Sequence, residues 1–131
     1  MKSLRNYFIV TLLTFTIFSS CSKKPNKVIE RGTWYVSLYM NSGKDETSDF
    51  SGYIFDFKKD GTLAVTLNTG NVVTGTWTYT ESSSKYKIAI SGTDKLDKIS
   101  DEWFIVSTSS SIIELKDDNS SNEDILNFKK K

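Results

Sequence analysis

From Val28 onward apolar and polar residues alternate one by one, and a chain with that rhythm can bury only one face of a β-sheet. Trp34, Val36 and Leu38 alternate with Tyr35, Ser37 and Tyr39; Tyr53, Phe55 and Phe57 alternate with Ile54, Asp56 and Lys58. Successive side chains of a strand point to opposite faces, so each run predicts a strand with one buried side. Lys59-Asp60-Gly61 separates Phe57 from the next run, Leu63, Val65 and Leu67. Asp-Gly between two such runs is a strong hairpin signal, because tight hairpin turns need backbone conformations that these residues tolerate. Thr69-Gly70-Asn71 makes the following turn, and Gly75, Trp77 and Tyr79 then alternate with Thr74, Thr76, Thr78 and Thr80. Threonine in the outward positions suits a strand better than a helix.

After Glu81-Ser82-Ser83-Ser84 a further strand carries Tyr86, Ile88 and Ile90. The polar stretch from Ser91 to Ser100, with Leu96 and Ile99 its large apolar residues, is either a long loop or a single helical turn covering an end of the sheet. Strands are expected again over Glu102 to Ser107, Ser111 to Lys116 and Ile125 to Lys129. Eight strands joined mostly by short turns predict an all-β, up-and-down antiparallel meander. Closing the first strand on the last removes both open edges and gives a small barrel, whose interior is filled by side chains or holds one small ligand. An open β-sandwich is the alternative, disfavoured because sandwiches need crossovers between sheets.

The triplet Gly-Thr-Trp occurs at residues 32 to 34 and again at 75 to 77. The first copy resembles the Gly-x-Trp signature of lipocalins, in which the tryptophan plugs the closed end of the barrel. The order of the remaining elements is similar to that of the short lipocalin-like domains of bacterial lipoproteins: Tyr53 to Phe57 and Asp60-Gly61-Thr62, then Gly75-Thr76-Trp77, Trp103-Phe104-Ile105 and Ile113-Glu114-Leu115. The resemblance spans most of residues 31 to 128 and implies a lipocalin-like barrel. Lipocalins place an arginine of the last strand over the plug tryptophan; here no arginine follows Arg31, so Arg31 or Lys129 is the expected substitute. The extra helix and characteristic loop motifs of that family have no match in this chain.

Ahead of the barrel, Lys2 and Arg5 precede a largely apolar run from Tyr7 to Phe18, then Ser19-Ser20-Cys21. A basic start, a short apolar stretch and small residues at its end match an export signal, whereas a membrane span needs about 20 apolar residues. Small residues before a cysteine resemble the lipobox of bacterial lipoproteins. That resemblance implies that residues 1–20 are removed and that Cys21, the chain's single cysteine, carries fatty acyl chains such as palmitate. Phe18 stands where the lipobox usually has Leu, Val or Ile, and secretion with an unlipidated terminus is the alternative. Residues 21–27 then read as the lipidated cysteine and a polar tether, and 28–131 as one domain. The expected location is the bacterial cell envelope, on the outer membrane in a cell with two, since Ser22 is not the aspartate of the inner-membrane retention rule.

Of the 17 basic residues, Lys2 and Arg5 depart with the leader, leaving 15 against 16 acidic ones. Charges of both signs interleave along the chain, so no basic face for nucleic acid is expected. Lys129-Lys130-Lys131 is read as a solvated tail that discourages edge pairing, with an approach to anionic headgroups as the other reading.

The chain has no histidine, which excludes Ser-His-Asp and Cys-His catalysis and the usual zinc and haem sites. Ser82-x-x-Lys85 matches a nucleophile motif but falls in a hairpin turn without its companions. Asp101, Glu102, Asp56 and Glu114 are the carboxylates available to a glycoside-hydrolysis pair, but Asp56 and Glu114 alternate with apolar neighbours and so face outward, which argues against that chemistry. In Asp117 to Asp124 oxygen ligands recur, but Asn122 and Phe128 replace the glycine and glutamate of a calcium loop. No enzyme activity, metal or cofactor is expected.

The interior positions are Trp34, Tyr53, Phe55, Phe57, Trp77, Tyr79, Tyr86 and Trp103. They fit a packed core, since each aromatic buries roughly 150–250 Å², and they also fit the wall of a cavity. In the second case Trp34, Phe55, Trp77 and Trp103 are the expected ligand-binding residues, for a small apolar or amphipathic ligand. The alternative function is a protein-interaction or inhibitor module of the envelope with a solid barrel.

Overall fold

Each alternating run forms a strand. In the computed structural model, which describes residues 23–119 and 123–131, the order is β1 (Trp34–Asn41), β2 (Lys44–Asp45), β3 (Ile54–Phe57), β4 (Thr62–Thr66), β5 (Val72–Thr80), β6 (Lys85–Ala89), β7 (Glu102–Thr108), β8 (Ile112–Asp117) and β9 (Ile125–Lys130). Neighbours pair antiparallel from β3 through to β9. β1 then pairs with β9 from Trp34 opposite Lys130 to Met40 opposite Ile125, which closes the sheet into a barrel of eight long strands. β2 is a two-residue ribbon folded back on the end of β1. The expected meander and closure are both present.

The leader and Cys21 lie outside the described residues. The expected tether is shorter than its composition suggests, because Pro25–Ile29 forms a helical turn, α1, with proline at its start. Proline's fixed φ suits the first helical position, where its missing N–H has no partner to lose. Val28 and Ile29 are buried under this turn. The Ser91 to Ser100 stretch contains the helical turn α2 (Asp94–Asp97), capped by Thr93, whose hydroxyl accepts from the Leu96 amide at 3.0 Å. Among the described residues no helix is long and apolar enough to cross a membrane.

Two corrections concern parity. Leu38 was placed inward and Tyr39 outward, but the ladder to β9 shifts between Val36 and Leu38. The bulge inserts one residue, so Tyr39 turns into the core and Leu38 to the outside. A second shift, between Ile105 and Ser107 of β7, turns Ser107 outward opposite Glu114, next to Val106, which alternation from Trp103 already places outside and which is 57% exposed. The third correction is the partner of Trp34. Lys130 rather than Arg31 or Lys129 lies over its ring, 5.2 Å from the centroid. β9 runs one residue further than expected, and Lys130 shares the face of Leu126 and Phe128 while Lys129 points outward opposite Tyr35.

The core is aromatic and continuous. Phe55 and Phe57 meet Phe128 edge-on at 5.2 and 5.6 Å between centroids, Phe57 meets Trp77 at 5.9 Å, and Trp77 meets Tyr86 at 6.3 Å. Such edge-to-face pairs are favoured by the ring quadrupoles. Tyr39, Phe50 and Tyr53 make a second edge-to-face chain beside β1.

Candidate functional site

The four residues expected to line a ligand cavity are all buried: Trp34, Phe55, Trp77 and Trp103. Phe55 packs between Phe57 and Phe128. Each indole N–H donates to a backbone carbonyl outside the strands, Trp34 to Ile29 at 2.9 Å, Trp77 to Lys58 at 2.8 Å and Trp103 to Ile99 at 3.0 Å. Two buried tyrosines do likewise, Tyr86 Oη donating to Pro25 at 2.7 Å and Tyr39 Oη to Lys98 at 3.4 Å. Burial pushes both phenols up, Tyr39 to about 12 with Asp124 and Glu46 adding to the effect, so both are protonated donors at neutral pH. Together these bonds fasten α1 over one mouth of the barrel and α2 over the other, while Trp77 holds the β3–β4 hairpin. A buried polar group needs a partner, and here the backbone of the caps supplies it.

A groove of about 670 Å³ lies instead on the outside of the barrel, between the outer faces of β1, β9, β8 and β7 and the segments flanking the loop after β8. None of the four interior aromatics lines it. Its apolar floor is Leu38, Phe104, Val106 and Ile125. Leu38 stands there because of the β1 bulge, and Val106 by the ordinary alternation that follows Trp103. Glu114, Asp117, Asp118, Glu123 and Asp124 surround that floor, with Lys116 the basic residue among the lining. Several of these carboxylates are held in place: Ser107 Oγ donates to Glu114 at 2.8 Å, the Asn119 amide to Asp117 at 2.9 Å, and the Ser42 amide to Asp124 at 2.7 Å. Lys85 reaches from β6 to Asp118 at 3.2 Å and sits 4.5 Å over the Phe104 ring.

Asp117 is the electrostatically loaded member. Its partial burial raises its pKa from the ordinary aspartate value, and the charges of Asp101 and Asp124 raise it further against the bond from the Asn119 amide. Asp101, Asp117 and Asp118 bring carboxylate oxygens within 4.8 Å of one another. Lys85 supplies counter-charge at that corner through both Asp118 and Glu102, the latter at 3.7 Å. The middle of the loop once compared with a calcium site, residues 120–122, lies outside the described residues. Asp56 faces away from the core on β3, and Ser82 and Ser84 lie in the β5–β6 turn.

No protein-family model matches the chain, and no curated protein matches it in sequence. Solved structures do. A DUF4847 family protein from Bacteroides vulgatus superposes with a TM-score of 0.62 at 15% identity, covering 81% of this chain and 96% of that one. A lipocalin-like protein from Bacteroides uniformis matches with a TM-score of 0.57 at 16% identity over 79% of this chain and 99% of its own. The fold is lipocalin-like. An uncharacterized protein from Bacteroides eggerthii shares the lipocalin-like barrel, with a TM-score of 0.56, 12% identity and coverage of 76% and 98%. At these identities the likeness concerns backbone architecture, and what this lipocalin-like barrel does rests on its own residues.

The sequence pointed to the aromatics and missed the groove. Its floor comes from outward positions on three strands far apart in sequence, Leu38 among them turned outward by a bulge, so no local pattern marks it. The cluster of carboxylates from Asp117 to Asp124 was the visible signal.

Proposed function

We propose that this chain is a lipid-anchored, non-catalytic binding module of the bacterial cell envelope, whose barrel is solid and whose ligand, a small amphipathic molecule, lies in the groove outside it. The groove carries this reading. Its volume of about 670 Å³ falls within the range of roughly 300–1,000 Å³ typical of small-molecule sites. The floor of Leu38, Phe104, Val106 and Ile125 suits an alkyl or ring portion, and the surrounding carboxylates favour a cationic or neutral head over an anionic one. Anchoring is supported by the small residues before Cys21 and by the short lead from it to α1. In a cell with two membranes, Ser22 favours the outer one. The lack of histidine supports a non-catalytic role.

The apolar outer face continues past the groove to Tyr35, 40% exposed, and Ile112, 37% exposed, on either side of Lys129. This extent favours a second reading, a contact surface for an envelope protein.

An NMR titration of the mature domain with dodecyltrimethylammonium, dodecyl maltoside and dodecanoate separates the readings. Saturable shifts at Phe104, Val106 and Ile125, largest for the cation and smallest for the carboxylate, are expected. Shifts centred on Trp77 and Phe55, or none with any of the three, overturn the groove as a small-molecule site; the latter leaves the second reading. For the anchor, the Cys21→Ser chain is expected to move from the membrane to the soluble fraction, and the intact mass of the natural chain to include acyl groups on Cys21.

A further inference from the structure

Charges that interleave along the sequence separate in the fold. The starts of β1, β4, β6 and β8 and the ends of β3, β5, β7 and β9 share one end of the barrel. Lys23, Lys24, Lys27 and Arg31 are exposed there, before and after α1. Lys58 and Lys59 are exposed in the β3–β4 hairpin at the same end. Lys129, Lys130 and Lys131 complete it, the Lys131 amide donating to Thr33 at 2.9 Å. Against these nine cations stand Glu30, Asp60 and Glu81, two of which meet Lys27 and Lys24 at 3.8 and 3.6 Å. The other end is the reverse. Its β1–β3 connection carries Asp45, Glu46 and Asp49, and the region of α2 carries Asp94, Asp97 and Asp101. The carboxylates from Asp117 to Asp124 lie there as well, and Lys44, Lys95 and Lys98 are the cations of its connections among the described residues.

We propose that the basic end of the barrel is a docking face for an anionic lipid surface and sets the domain upright on the membrane, acidic end outward. The chain enters at this end: Lys23 lies two residues after Cys21, and Tyr86 pins Pro25 beside it at 2.7 Å. β1 has eight residues, so a tilted barrel separates its ends by about 20 Å. Along β1 that is more than twice the ~8 Å screening length at physiological salt; on the β6–β8 side Lys85, at the start of β6, meets Asp118 at 3.2 Å and Glu102 at 3.7 Å, so the attraction comes from the cations of α1, the β3–β4 hairpin and the end of β9. Each Lys or Arg brought to an anionic leaflet strengthens attachment about fivefold. The inference rests on the anchoring reading only for which way the domain faces; the attraction acts without an acyl chain.

The test uses residues 21–131 with Cys21→Ser, sedimented with vesicles of phosphatidylcholine alone or with 30% phosphatidylglycerol (about a third of the lipid, a charge density like that of anionic leaflets). Binding is expected only to the anionic vesicles and is expected to fall steeply with added salt. Lys58→Gln, Lys59→Gln and Lys131→Gln together remove about a hundredfold in affinity, whereas Lys44→Gln with Lys95→Gln changes nothing. These side chains are exposed, and unchanged melting curves establish that the variants fold. Binding indifferent to phosphatidylglycerol, or lost equally on substituting the acidic end, overturns the proposal. A natural chain without acyl groups on Cys21 whose Cys21→Ser form still binds anionic vesicles sinks the anchor alone; an acylated chain whose Cys21→Ser form ignores them sinks the docking face alone.

Discussion

Lys129 and Lys130 are adjacent and chemically identical, yet only one of them faces the core. Lys130 lies over the Trp34 ring, and its stem also passes near Gly32. Lys129 is exposed opposite Tyr35. A cation over an indole contributes about 1 kcal/mol at a part-exposed site, so Lys130→Ala is expected to lower unfolding free energy by about that amount in urea, with Lys129→Ala close to neutral. Equal effects would mean that the ring contact contributes nothing. The two Gly-Thr-Trp copies make the same point about position. Gly32 turns from α1 into β1 at φ +75°, a conformation other residues rarely adopt. Gly75 has ordinary backbone angles, but a Cβ there would collide with the Ala89 carbonyl and lie 2.8 Å from Ile90 Cβ, because β6 presses against β5 at that point. The sequence motif is shared while its physical reasons differ. Leu38 and Tyr39 were misplaced for a related cause: a bulge adds one residue without any residue type announcing it.

At the level of elements, the strands were legible and the caps only in part: a helical turn is one of two readings of Ser91 to Ser100, while the start of α1 reads as tether. β3 to β6 are regular hairpins with turn residues in the expected places, so parity carries through them unbroken. α1 and α2 are five and four residues long, too short for helical periodicity to register, and isolated helices of that length do not form in water. They exist because tertiary contacts hold them, apolar ones through Val28, Ile29, Leu96 and Ile99 and polar ones through the indoles. Trp103→Phe keeps most of the ring and removes the bond to Ile99, leaving that carbonyl without its donor. The expected loss is about 1–3 kcal/mol, accompanied by faster hydrogen exchange at Leu96 to Ser100 while β3 to β5 keep their protection. A uniform loss of protection around the barrel would show that the bond supports the core in general and not the cap.

The whole barrel is not equally stitched. β1 is held to β9 over its length, but to β3 by the single pair Trp34 and Phe55. Beyond that pair a 3₁₀ turn, Thr47–Phe50, fills the gap, with the Tyr39 amide donating to Thr47 Oγ1 at 2.9 Å and the Tyr39, Phe50 and Tyr53 rings packed edge to face. Side-chain packing replaces a ladder along this seam, and cooperative units with fewer backbone bonds open at lower free energy. Closure by β1 and β9 joins residues from opposite ends of the chain, an arrangement whose loop-closure entropy slows folding. Native-state hydrogen exchange is therefore expected to show the 3₁₀ turn and β3 opening locally, with β8, β9 and the β9-bonded amides of β1 exchanging only through global unfolding. Protection that is lowest between β8 and β9, or even all the way round, would contradict this. The distinction bears on binding, since with α1 and α2 bonded across the mouths the β1–β3 seam is the weakest wall of the core. A seam that stays shut on the exchange timescale leaves the outer groove as the accessible surface for a ligand, whereas frequent opening would expose Phe50, Tyr53 and Phe55 to an entering apolar molecule.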